Sequence, residues 1–125
     1  MNYLIVFLGA GLGGAARHGV NILVPRLVGG SFPLNTLVVN VLGSFAMGLI
    51  AEYFALKAQL PAEWRLFLTT GVLGGFTTFS AFSLDAALLY ERGDMTGAAL
   101  YVGASVVLSV AGLFAGLALI RHFAG

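Results

Sequence analysis

The chain has no cysteine. This excludes disulfides, thiolate metal sites and cysteine nucleophiles, and it leaves the redox compartment open. Histidine occurs only at His18 and His122, near opposite ends of the chain, which suggests no metal cluster. Charge is scarce as well: Asp, Glu, Lys and Arg make up 9% of 125 residues and leave a net charge of +1. A chain so poor in basic residues offers no field for nucleic acid. No cationic stretch precedes the first apolar run. Met1–Asn2–Tyr3 therefore reads as a retained N-terminus, although Gly14–Ala15–Ala16 loosely resembles a cleavage site. The three prolines, Pro25, Pro33 and Pro61, fall at or near predicted helix ends, where a missing N–H costs least.

What the chain does have is apolar sequence in long blocks. Hydrophobic residues reach 59% and the mean hydropathy is +0.99. A soluble chain of this length needs far more charge to stay dissolved. The blocks predict an all-α membrane protein with four transmembrane helices and no further domain, at about 3–27, 34–55, 64–90 and 96–120. Turns are expected at Gly29–Pro33, Lys57–Pro61 and Glu91–Asp94, and connections this short make neighbouring spans antiparallel.

Basic residues divide almost evenly between the two sides. Lys57, Arg65 and Arg121 fall on one side and Arg26 and Arg92 on the other, with Arg17 inside a span. The bias that normally sets orientation is therefore nearly absent. The count admits two readings: a weak preference for one orientation, or insertion both ways up with pairing as an antiparallel homodimer. Four short helices are too few to enclose a wide polar pathway, so function calls for a second copy. Gly9, Gly13, Gly43, Gly48, Gly112 and Gly116 permit close helix packing, as small residues commonly do in membranes.

Polar residues inside apolar spans are costly and therefore informative. Thr36, Asn40 and Ser44 recur every four residues and share a helix face, as do Tyr101, Ser105 and Ser109. Either stripe can join helices through hydrogen bonds; together they point to a lined pathway of N–H and hydroxyl donors. The third span is unusual. Gly74–Gly75 followed by Thr77–Thr78 is poor helix sequence, which predicts a break rather than a simple kink. Unwound backbone in hydrocarbon must be buried in protein or line a cavity, and its free carbonyls suit a small cation such as Na⁺. Just beyond, Phe79 and Phe82 share a face beside Ser80 and Ser83. Such rings usually pack, yet their electropositive edges can also receive a small anion. Arg17 reads either as a charge near a span end or as an anion-attracting vestibule residue. Asp85 is the only carboxylate well inside a span. Pairing with a cation, accepting hydrogen bonds at a dimer seam and carrying protons all remain open for it.

The run Gly74–Gly75–Phe76–Thr77–Thr78–Phe79–Ser80–Ala81–Phe82–Ser83 resembles the signature of the Fluc (CrcB-type) fluoride channels of bacteria. Gly13–Gly14–Ala15–Ala16–Arg17, Thr36–Leu37–Val38–Val39–Asn40 and the Tyr101/Ser105/Ser109 spacing support it, so the resemblance covers essentially the whole chain. It implies a dual-topology antiparallel homodimer in the bacterial inner membrane, with two fluoride pores and a structural Na⁺ at the dimer centre. Carried onto this chain, the Na⁺ ligands are the backbone carbonyls of Gly74 and Thr77. Phe79 and Phe82 line the pores, Asn40 coordinates the anion, and Thr36, Tyr101, Ser105 and Ser109 continue a polar track beside Ser80 and Ser83. Arg17 matches the vestibule arginine. Passive export of cytoplasmic fluoride follows, with no enzymatic step.

Two other functions compete. A proton-coupled small multidrug exporter also has four short spans, but it needs a buried carboxylate in the first span, which here holds no Asp or Glu. A non-transporting subunit of a larger complex would not require a broken, threonine-rich span between two polar stripes.

Overall fold

The fold is described from a computed structural model over residues 2–28, 32–57 and 61–124. Residues 29–31 of the expected Gly29–Pro33 turn and 58–60 of the expected Lys57–Pro61 loop lie outside the described residues. Helix α1 spans Asn2–Leu27 and α2 spans Leu34–Lys57. A segmented run follows: α3 (Ala62–Leu66), a π-helical stretch over Phe67–Leu73, α4 (Gly74–Phe76) and α5 (Phe79–Glu91). Helix α6 spans Met95–Ala124. Among the described residues there is no strand. The protein is all-α.

Three stretches are long and apolar enough to cross a bilayer: Leu34–Leu56, Ala62–Glu91 and Met95–Phe123. Helix α1 has the length, at 26 residues, but Arg17, His18, Asn21 and its glycines dilute its hydropathy, and it is not among the three. The outer surface is apolar, with Phe7, Phe114 and Phe123 all more than half exposed. Side chains of this kind are at home against lipid, and the chain is a multi-pass membrane protein.

The two ends of α5 and α6 meet in a tight hairpin where the Glu91–Asp94 turn is expected. Gly93 adopts φ +81°, a left-handed conformation that glycine takes without a Cβ penalty. Asp94 N–H donates to the Leu89 carbonyl at 3.0 Å and Gly93 N–H to that of Tyr90 at 3.0 Å, closing the end of α5. The Asp94 carboxylate then accepts from Gly97 N–H at 2.8 Å and caps α6.

Helices α2 and α6 share the most extensive contact in the molecule. Their axes approach at Gly48 and Gly116: a methyl on Gly116 would sit 2.8 Å from the Leu49 nitrogen, and one on Gly48 3.0 Å from the Leu113 carbonyl carbon. Helix α1 packs equally closely on the segmented run, where a methyl on Gly9 would lie 2.8 Å from the Phe67 carbonyl oxygen. The core is small, and Val39, Leu89 and Tyr101 are its fully buried side chains.

Candidate functional site

The helical run that starts at Ala62 stops at Phe76 and resumes at Phe79. Between them Thr77 (φ −82°, ψ 159°) and Thr78 (φ −152°, ψ 123°) are extended. The local chemistry favours this. The Thr78 hydroxyl accepts from Ala81 N–H at 3.1 Å and so begins α5 as its N-cap. The Thr77 hydroxyl donates to the Leu73 carbonyl at 2.9 Å, which also receives Thr77 N–H at 2.9 Å.

Asn40 on α2 holds the interruption from the side. Its Nδ2 donates to the Thr78 carbonyl at 3.0 Å, while its Oδ1 accepts from Thr78 N–H at 2.9 Å. The carboxamide thus pairs with Thr78 as a neighbouring strand would, and satisfies backbone groups that the lost helix leaves open. Gly43, one turn further along α2, leaves the space into which the Thr77 methyl projects. From the other side, Arg17 on α1 donates through Nε to the Gly75 carbonyl at 3.3 Å.

This pairing has a consequence for two carbonyls. In an uninterrupted α-helix, Thr78 N–H would meet Gly74 O and Ala81 N–H would meet Thr77 O. Here the first amide is turned to Asn40 and the second to the Thr78 hydroxyl. The carbonyls of Gly74 and Thr77 lose their ordinary donors, which is the condition of hard oxygen ligands. No group of three His, Cys, Asp or Glu side chains suited to a metal occurs among the described residues.

Beside the interruption lies an open cleft of about 430 Å³, walled mostly by carbon. Its lining brings together Asn40, Ser44, Phe79, Phe82, Ser105 and Ser109, residues singled out in the sequence, along with Gly74 and Thr77. The Phe79 and Phe82 rings stand 5.5 Å apart between centroids, and Phe79 is largely exposed. Ser105 is buried at 6% exposure, yet among the described residues its hydroxyl has no hydrogen-bond partner. A buried polar atom of this kind on a cavity wall leaves a donor open to a bound water or ion.

Four other predicted residues sit elsewhere. Thr36 and Tyr101 are buried outside the cleft lining, and both donate to the same oxygen of Asp85, at 2.7 Å and 3.2 Å. Their hydroxyl hydrogens therefore point at a carboxylate. Ser80 and Ser83 are exposed on α5. Asp85, absent from the predicted site, is the centre of a small polar cluster. Its signal in the sequence was that it is the only carboxylate well inside a span, but its partners come from α2 and α6, which no local pattern reveals. The Tyr101 ring lies 5.2 Å from Phe82, so the cluster also borders the aromatic pair.

Residues 4–117 match the family model described as CrcB-like protein, Camphor Resistance (CrcB). The chain is 62% identical over 122 residues to the fluoride-specific ion channel FluC 2 of Nitrobacter hamburgensis, covering 98% of each chain. It is 63% identical over 121 residues to the fluoride-specific ion channel FluC of Rhodopseudomonas palustris strain BisB5, covering 97% of this chain and 98% of the relative. The corresponding channel of Methylobacterium nodulans is 60% identical over 123 residues, again with 98% of both chains covered. Similarity this high and this complete, on a chain whose interrupted helix, aromatic pair and serine-lined cleft are laid out as above, makes the protein a member of the CrcB family.

Proposed function

We propose that this protein is a fluoride-selective channel of the bacterial inner membrane, letting cytoplasmic fluoride leave passively down its gradient. The observation that carries this reading is the cleft, where the unpartnered Ser105 hydroxyl shares a wall with Ser109, Asn40 and the rings of Phe79 and Phe82. Fluoride is small and strongly hydrated, so a selective path replaces its water with several modest donors. A fixed cation at the narrowest point would hold the ion too tightly to release it. Hydroxyls, ring edges and the second N–H of the Asn40 amide, left free by its bond to Thr78, meet that requirement. Thr36 and Tyr101, committed to Asp85, lie outside the cleft lining and do not donate into it.

In this reading α1 is a fourth span and the interruption at Thr77–Thr78 lies mid-membrane, near the centre of Ala62–Glu91. The open side of the cleft is closed by a second, inverted copy, in keeping with the nearly even basic residues. The exposed Ser80 and Ser83 face that copy, and each dimer carries two pores. The carbonyls of Gly74 and Thr77 fit a structural Na⁺ at the dimer centre, because both lack the helical donors they would otherwise have. The ion would supply fixed positive charge that holds the two interrupted helices together.

A proton-coupled exporter is the competing class, and α1, without any Asp or Glu, provides no carboxylate for it. Efflux from liposomes loaded with potassium fluoride or potassium chloride tests the proposal. Rapid loss of fluoride with chloride retained is expected. Equal passage of both anions, or passage of neither, overturns it.

A further inference from the structure

Arg17 is the deepest cation in the sequence, and its obvious role is to attract anions into a vestibule. Its geometry indicates something else. The guanidinium Nε donates to the Gly75 carbonyl, a contact bridging 58 residues of sequence, at a half-buried site. Gly75 is the middle residue of α4, the last short helical turn before the interruption. Its carbonyl would meet Phe79 N–H in an unbroken helix, and that partner is lost when Thr77 and Thr78 turn extended. A cation at the C-terminal end of a helix is also favoured by the dipole of the aligned peptides. The contact is close because Gly75 and α1 nearly touch: a methyl on Gly75 would lie 2.8 Å from the Cα of Ala10. Among the described residues, Arg17 does not line the cleft.

We propose that Arg17 is a positioning residue, which holds the Gly75 carbonyl through Nε and so fixes the interrupted backbone opposite the Asn40 clamp, rather than a charge that draws fluoride in. The two clamps act from opposite sides. Asn40 takes both backbone groups of Thr78, and Arg17 takes the orphaned carbonyl three residues earlier. Together they close the backbone groups of Thr78 and the Gly75 carbonyl, and the Gly74 and Thr77 carbonyls are among those left without a helical donor. The proposal rests on the channel reading only for its transport readout.

Glutamine gives a clean discriminator. Its Nε2 is bonded to Cδ, as Nε is in arginine, so Arg17→Gln keeps an N–H donor at the same distance along the side chain while removing the charge. Lysine does the reverse, keeping charge but having carbon at that position. Wild type, R17Q, R17K and R17A are reconstituted in liposomes, and fluoride efflux is measured at low and high ionic strength. In parallel, amide hydrogen exchange is followed across residues 74–81. Positioning predicts that R17Q stays near wild type in both readouts. R17A should lose flux by the same factor at either salt concentration, and exchange should rise several-fold at Thr77–Ala81 but not in α2 or α6. Charge attraction predicts the opposite pattern. R17K would be near wild type, R17Q as poor as R17A, and the deficit would shrink as salt screens the field. That pattern, or unchanged exchange at Thr77–Ala81 in R17A, overturns the proposal. If R17A does not fold, the contrast between R17Q and R17K decides. If wild type moves no fluoride the channel reading fails, and the exchange measurements still judge the clamp.

Discussion

Two pairs of packed helices in this protein solve the same problem in different ways. Helices α2 and α6 are long, regular and apolar, and they meet backbone to backbone through Gly48 and Gly116. Helix α1 and the segmented run from Ala62 to Glu91 also meet through glycine, but there the run is π-helical, short-helical and then extended within a few residues. The first pair satisfies its backbone internally, so it is held mainly by packing, with the Glu52–Arg121 ion pair near its end. The second leaves backbone groups open and depends on polar side chains: Asn40 from α2, Arg17 from α1, and the hydroxyl of Thr78 itself. The lesson is that irregular backbone packed among apolar helices needs dedicated polar partners, and where it has them its remaining carbonyls become available to a ligand.

Several substitutions would break or sharpen this contrast. The largest effect is expected at the clamp. Asn40→Ala leaves both backbone groups of Thr78 without a partner, at about 1–3 kcal/mol for each buried group. Unfolding by SDS titration in mixed micelles should register that loss, and fluoride flux should collapse with it. Asn40→Asp retains an acceptor for Thr78 N–H but sets a carboxylate against the Thr78 carbonyl and the cleft. It should abolish flux while costing less stability than alanine, and undiminished flux would remove Asn40 from the pathway. Gly48→Val drives a branched side chain into the Leu113 backbone and should cost about 1–3 kcal/mol by the same titration, by overpacking. Because it acts on the regular pair, the hydrogen exchange of Thr77–Ala81 should stay close to wild type. Thr78→Ala removes the cap of α5 and should cost about 1 kcal/mol, with faster exchange confined to the first turn of that helix. The smallest effect belongs to Glu52→Gln, which breaks the ion pair between Glu52 on α2 and Arg121 on α6. Arg121 is largely exposed, so the change should stay below about 1 kcal/mol and leave flux intact.

The pairing of the Asp85 carboxylate with Thr36 and Tyr101 shows where sequence reasoning stopped. The stripes Thr36/Asn40/Ser44 and Tyr101/Ser105/Ser109 were legible as helical faces, because a spacing of four fixes a face on any helix. Which members of a stripe meet the cleft was not legible. Asn40, Ser44, Ser105 and Ser109 reach it, whereas Thr36 and Tyr101 turn to a carboxylate on α5. That division depends on how α2, α5 and α6 are rotated about their own axes, which no single helix's pattern contains. Arg17 gives a second instance: its charge was plain in the sequence, and its contact with the Gly75 carbonyl was not.

The sequence by itself determined that the chain is all-helical, apolar and membrane-spanning, because scarce charge and long hydrophobic blocks leave no other way to satisfy the backbone. It also marked Gly74–Thr78 as poor helix, through glycine entropy and β-branched side chains. Only the tertiary structure decided how that weakness is used. Side chains of α1 and α2 converge on the interruption and, with the Thr78 hydroxyl, select which backbone groups are closed and which stay open. Hydrogen bonds between distant residues made that choice, and their partners are set by the packing of whole helices.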